Sequence, residues 1–144
     1  VMDFGALFEG YHADMTRTVM IGKPTQKHQE IYDIVSKSQM SGISHCKSGV
    51  KCSDVDKACR SVINQHGYGD FFNHSTGHGI GLEVHTLPRI HHSNQELLKT
   101  NQVITIEPGI YIPDWGGVRI EDDCVINDND CSILNKSTKE LISL

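Results

Sequence analysis

The chain has 144 residues, 38% of them hydrophobic and 22% charged, and carries a formal net charge of −5. That length suffices for one domain with a sizeable core. The negative balance gives no electrostatic reason to expect nucleic acid or an anionic membrane as partner, and no apolar run approaches the roughly 20 residues that span a bilayer.

The first residues, Val1-Met2-Asp3-Phe4-Gly5, read as a strand already under way with no signal-peptide pattern, so residues are expected upstream. Strands over 1–9 and 15–21, with a turn at Gly10-Tyr11-His12-Ala13, make a hairpin that carries Asp3 and Asp14. Gly22-Lys23-Pro24 breaks the pattern, and Thr25 is a plausible N-cap for a helix over 26–46. Its apolar positions Ile31, Ile34, Val35, Met40 and Ile43 recur at helical spacing. Ser53 or Asp54 caps a second predicted helix, with Val55, Ala58, Cys59, Val62 and Ile63 inward and a stop at Gly67-Tyr68-Gly69. Residues 71–86 read as strand, glycine-rich turn, strand, and 94–99 as a short helical turn. Strands follow over 103–107, 110–112, 117–126 and 129–135. The pattern is α+β, an antiparallel sheet with two helices on one face. Five cysteines without a CxxC pair fit idle thiols in a reducing compartment, hence a cytoplasmic location.

The densest chemistry lies in His74-Ser75-Thr76-Gly77-His78-Gly79-Ile80-Gly81-Leu82-Glu83-Val84-His85, three imidazoles in twelve residues. Neutral imidazole ligates metals and moves protons. Asp3 and Asp14 lie upstream, and Glu107 and Glu121 downstream. Like carboxylates raise one another's pKa, and two dications resolve that conflict, so the set suggests a carboxylate-rich two-metal site. Glu107 and Glu121 sit in apolar strands, where an unpaired carboxylate is costly. Spacing alone does not show that these residues converge. Taken singly, Asp3 and Asp14 read equally as strand-end and turn formers. Gly77, Gly79 and Gly81 could serve a bulge, and Arg17 a structural ion pair. His91-His92 reads as exposed loop, because neighbours on a strand point to opposite faces. Asp122 and Asp123 read as solvated or as partners of a nearby cation. His12, His28, His45 and His66 read as surface residues.

Taken in order, four motifs resemble those of the pita-bread metallopeptidases: Asp3-Phe4-Gly5 with Tyr11-His12-Ala13-Asp14-Met15-Thr16-Arg17-Thr18, then His74 to Gly81, Ile106-Glu107-Pro108-Gly109, and Gly117-Val118-Arg119-Ile120-Glu121-Asp122-Asp123. That family includes methionine aminopeptidase, aminopeptidase P, prolidase and creatinase, and the Asp-x-Thr-Arg-Thr and Gly-Val-Arg-Ile-Glu-Asp forms look more like its proline-specific branch. The resemblance implies a curved antiparallel sheet with helices on one face, truncated at its N-terminal side, as the C-terminal part of one catalytic domain. It implies Asp3, Asp14, His78, Glu107 and Glu121 as ligands of two divalent metal ions, with Asp14 and Glu121 shared between them. Mn is the first choice of metal, and Co, Zn or Fe are tolerated. Glu107 is implied as general base, His74 and His85 as contacts to the substrate carbonyl, and Arg119 and Tyr111 as groups that orient carboxylates or substrate. The implied partner is a peptide with proline at its second position, with no nucleic acid or membrane. A half-domain would leave apolar faces exposed, so another chain, as in a homodimer, is an open expectation. One departure stands out: Thr86 follows His85 where many proline-specific relatives have an acidic residue. The rival readings are a methionine aminopeptidase and a catalytically silent peptide- or protein-binding fragment of the same fold. Creatinase-like chemistry is disfavoured, since that member works without metals.

Overall fold

A computed structural model describes all 144 residues. Strands β1 (Met2–Phe8) and β2 (Tyr11–Arg17) form an antiparallel hairpin. Its turn is tighter than the sequence suggests: only Glu9 and Gly10 connect the strands, both at positive φ (50° and 87°). Two-residue turns of that kind match the strand twist, so β2 starts at Tyr11 rather than at 15. It ends at Arg17, and Val19–Met20 forms a separate strand, β3. Helix α1 spans Gln26–His45. Thr25 caps it as expected, accepting from the amide of His28, while the amide of Thr25 donates to His28 Nδ1 at 3.0 Å. His28 thus fills the place a glutamate or glutamine takes in a capping box. Met40 was expected to face inward but is half exposed, and Gln39 is buried instead.

Helix α2 runs over Cys52–Gln65, starting before the predicted Ser53 or Asp54 cap. No side chain caps it. Its first amides donate to backbone, Cys52 N to Glu96 O and Ser53 N to Asn94 O, both at 2.9 Å. This explains a second miss. Residues 94–97 form no helix: Leu97 makes an isolated bridge with Lys51, and the carbonyls of Asn94 and Glu96 are spent on the open end of α2. Gly67, at φ 81°, follows the end of α2, and a single 3₁₀ turn, Gly69–Phe71, leads to the site.

The remaining strands are β4 (Gly77–Gly79), β5 (Thr86–Ile90), β6 (Val103–Ile106), β7 (Gly109–Ile112), β8 (Gly116–Arg119), β9 (Asp122–Ile126), β10 (Cys131–Ile133) and β11 (Ile142–Ser143). Five of them form an antiparallel sheet in the order β10-β9-β6-β4-β5. β7 pairs with β8 antiparallel, and β11 adds to β3 in parallel, so the sheet expected as one antiparallel unit is divided into four. The predicted strand over 117–126 breaks at Ile120-Glu121, because the amide of Glu121 turns to donate to Thr16 O at 3.1 Å. Thr18 Oγ1 donates to Arg119 O at 3.0 Å beside it. These bonds stitch the hairpin to the rest.

The core holds Ile31, Ile34 and Val35 of α1, Val55, Cys59 and Ile63 of α2, and Ile90, Ile104, Ile106, Cys124 and Ile126 of the sheet. Each fully buried isoleucine contributes about 1.5–3 kcal/mol by leaving water. Gly42 lets the layers meet: a Cβ there would lie 2.4 Å from Cys59 Sγ and 3.2 Å from Ile106 Cγ2. No helix is long and apolar enough to cross a membrane.

Candidate metal centre

Strand alternation aims the carboxylates. In the β1–β2 ladder Asp3 faces Thr16 and Gly5 faces Asp14, so Asp3 and Asp14 share one face two positions apart. His78 sits in the short central strand β4, which can lie close to β6 because Gly77 has no side chain: a Cβ there would meet Thr105 O at 1.8 Å. The amide of His78 donates to Thr105 Oγ1 at 3.1 Å, and that hydroxyl donates to Glu107 Oε1 at 3.1 Å. Glu107 follows β6 and Glu121 fills the break between β8 and β9.

The structure brings all five predicted ligands together. Donor atoms of Asp3, Asp14 and Glu121 lie within 4.8 Å of one another, as do those of His78, Glu107 and Glu121, and those of Asp14, His78 and His85. Asp14, His78 and Glu121 are each common to two of these groups, and Asp3, Glu107 and His85 to one. His78 Nε2 is 3.2 Å from Glu107 Oε1 and 3.9 Å from Asp14 Oδ2.

The electrostatics of this cluster ask for a cation. Glu121 is 1% exposed, and its Oε1 is buried with no hydrogen-bond partner. Burial first, and then the Glu107 carboxylate, push its carboxyl up to about 8. Burial and the neighbouring Asp3 also raise Asp14. Burial is the largest single influence on His78 and lowers it, but the hydrogen bonds to Glu107 and to the Gly79 carbonyl, with the charges of Glu107 and Glu121, together outweigh it and the net shift is upward. Oxygen donors with a single imidazole, one oxygen orphaned, suit divalent metal ions of the Mn, Fe, Co and Zn group.

Around the ligands lies a second set of contacts. Arg119 pairs with Asp3, donates from Nε to Thr16 Oγ1 at 3.1 Å and from Nη1 to the Tyr111 hydroxyl at 2.9 Å. Thr16 Oγ1 in turn donates to Glu121 Oε2 at 2.6 Å. His74 places Nε2 3.0 Å from the Tyr111 hydroxyl and Nδ1 2.8 Å from Ser75 O. A carbonyl only accepts, so Nδ1 carries the ring proton. Burial holds His74 below the ordinary histidine value, and the Nε2 of a neutral ring then accepts from Tyr111. His85 is exposed, with its ring 4.3 Å from that of His78. The two imidazoles expected to act alike therefore sit in different surroundings, His74 hydrogen-bonded and half-buried, His85 exposed.

A cleft of about 700 Å³ opens over these groups, lined by Asp3, His74, His78, His85, Glu107 and Arg119. It is lined also by Glu83, Leu87 and Arg89, which the sequence reading passed over. Arg89 lies across the β4–β5 ladder from His78 and its guanidinium makes no ion pair. Its signal was its position four residues after His85.

Several other expectations need correction. Asp122 is fully buried, not solvated: it accepts from Arg17 at 2.7 Å, Lys139 at 2.5 Å and Gln39 at 2.8 Å. This is the cation-partner reading, and Arg17 has the structural role expected. Asp123 is also buried and accepts from the Asp14 amide at 3.0 Å, fixing that ligand's backbone. His91 and His92 lie outside the strands as expected, in a turn that brings their rings to 3.9 Å, but only His92 is exposed and His91 is half-buried. His45 and His66 are exposed, but His12 and His28 are half-buried.

Comparison with known proteins sharpens this geometry. The model of metallopeptidase family M24 matches residues 1–128. The chain belongs to this family. An Xaa-Pro dipeptidase of Pyrococcus horikoshii is 47% identical over 142 residues, covering 99% of this chain and 40% of the relative. Among solved structures, an Xaa-Pro dipeptidase from Bacillus anthracis is 46% identical with a TM-score of 0.97, and an X-Pro aminopeptidase from Thermotoga maritima is 43% identical with a TM-score of 0.96. Each is covered over 40% of its length by 99% of this chain. The chain thus spans about 40% of the relatives it matches, and its fold is the pita-bread fold. Family membership implies divalent metal ions, in keeping with the donor set described above.

Proposed function

We propose that this chain carries the metal-holding part of a peptidase that removes the N-terminal residue from Xaa-Pro peptides. The observation that carries the reading is the convergence of five metal-ligating side chains, from two strands of an exposed hairpin and three segments of the sheet, beneath a single cleft. The names of the relatives support proline at the second position.

Asp3, Asp14, His78, Glu107 and Glu121 would hold two divalent ions, Mn by preference. Such a pair, when bound, lowers the pKa of a water and stabilises negative charge developing on the substrate. The chain's own groups divide the remaining work. Glu107 accepts the proton of the attacking water at a carboxylate oxygen and is steadied by Thr105. His85, with no hydrogen bond of its own, is free to donate to the carbonyl oxygen of the scissile bond. His74 Nε2 accepts from Tyr111, which holds Arg119 against Asp3 and Thr16. Arg89, the unpaired guanidinium of the cleft, is placed to take a substrate carboxylate, which favours short peptides. Five free cysteines support a cytoplasmic setting.

The test is hydrolysis of Ala-Pro, Ala-Pro-Ala and Met-Ala-Ser by the protein supplemented with Mn²⁺. Cleavage before proline is expected. Release of Met from Met-Ala-Ser without action on the other two would select the methionine aminopeptidase reading.

A further inference from the structure

Helix α2 lies outside the cleft, yet it holds a charged pair whose hydrogen bonds reach one segment of the site. Asp56 is fully buried and takes Arg60 Nε at 2.7 Å, one helical turn on. Its other oxygen accepts from Thr76 Oγ1 at 2.8 Å, and Thr76 is fully buried as well. Arg60 donates from Nη1 to Phe72 O at 2.8 Å and from Nη2 to His74 O. Its guanidinium lies 4.1 Å above the Phe72 ring, and that ring meets His74 edge-on at 5.0 Å. The link continues inward: the amide of Glu107 donates to Thr76 O at 2.7 Å.

The outward bonds of the pair thus end on residues 72–76, the strip that carries His74 and anchors Glu107. A pair with one buried and one part-exposed partner contributes little net stability, because desolvation of the buried carboxylate offsets the attraction. What it contributes here is direction, since a planar guanidinium fixes two carbonyls at once. We infer that Asp56 and Arg60 are positioning residues that set the backbone of His74 and, through Thr76, that of Glu107. The inference rests on the peptidase reading for its kinetic consequence but not for its structural one.

The test uses Arg60→Lys and Thr76→Val in the intact, Mn²⁺-supplemented protein. Lysine keeps the charge but cannot hold both carbonyls; valine keeps the shape but loses the bond to Asp56. For Arg60→Lys we expect kcat on Ala-Pro to fall ~30-fold with KM changed less than ~2-fold, in line with the cost of small misplacements. A phosphinic dipeptide analogue, tetrahedral at the scissile position, should weaken by the same factor as kcat/KM, and metal content should stay unchanged. Thr76→Val should act in the same sense on kcat. Amide exchange of residues 72–78 should quicken in both variants, and α1 should not change. Parental kcat with parental exchange overturns the inference, as does a loss of activity that merely tracks lost metal. Should the parent protein leave Ala-Pro intact, the peptidase reading fails by itself. Exchange at 72–78 then decides the positioning claim, and unchanged exchange rejects it.

Discussion

The two halves of the ligand set are built in opposite ways. His78, Glu107 and Glu121 stand on a floor of strands and breaks backed by the two helices, with side chains of His78 and Glu107 only 11% and 16% exposed. Asp3 and Asp14 come from a hairpin whose first strand is exposed at every residue; the Asp3 side chain is 54% exposed, whereas that of Asp14, on the second strand, is folded inward and 12% exposed. The floor is shaped by packing. The hairpin is held by cross-links to the floor: the Thr18 hydroxyl on Arg119 O just past its end, the Glu121 amide on Thr16 O, Arg119 on Asp3, and Asp123 on the Asp14 amide. Orientation on the floor is therefore set before any metal arrives, whereas orientation on the hairpin depends on charged and polar contacts to which a metal would add.

The strongest test of the floor is Glu107→Ala. Hydrolysis should fall at least ~10³-fold while the fold persists, because that residue is both ligand and proton acceptor; kcat and circular dichroism together check this. A change confined to KM would remove Glu107 from the chemistry. Next, Glu121→Gln and Asp3→Asn separate the two halves. Glu121 belongs to two ligand groups and Asp3 to one, so Glu121→Gln should empty the site, whereas Asp3→Asn should leave about one ion per chain. Equal losses, read by elemental analysis, would erase the distinction between floor and hairpin.

Acidity offers a third test. Burial and Glu107 raise Glu121 from 4.5 to about 8 in the metal-free chain. A carboxyl raised on folding stabilises the folded form fully below its unfolded value, and that contribution is lost as pH rises toward the folded value. The metal-free protein should therefore lose thermal stability between pH 4.5 and 8. Adding Mn²⁺ should flatten that slope. A metal-free Tm rising across that range would contradict the burial described for Glu121. The smallest effect lies far from both halves: Thr25→Ala removes the α1 cap and should cost about 1 kcal/mol in denaturant unfolding, without altering metal content.

Much of this was legible in the chain itself. Asp3, Asp14, His78, Glu107 and Glu121 could be named because their motifs stand in family order, and α1 because Thr25 and its apolar spacing agree. What escaped was set by contacts remote in sequence. The start of α2 depends on carbonyls at 94 and 96, and the break at Glu121 depends on Thr16, more than a hundred residues away. Asp122 could be read as solvated or as a cation's partner, and its partners could not be named, because Arg17, Gln39 and Lys139 come from three other segments. Asp56 and Arg60 carried no motif at all, since their partners Phe72, His74 and Thr76 offer mostly backbone. Arg89 belongs to no motif either, and only the pairing of β4 with β5 sets it opposite His78.

The account turns on one joint measurement, the metal content of the purified protein read beside its cleavage of Ala-Pro. About two ions per chain, with cleavage that stops on chelation and returns with Mn²⁺, is the expected result. A protein that binds no divalent metal and leaves Ala-Pro intact would contradict it.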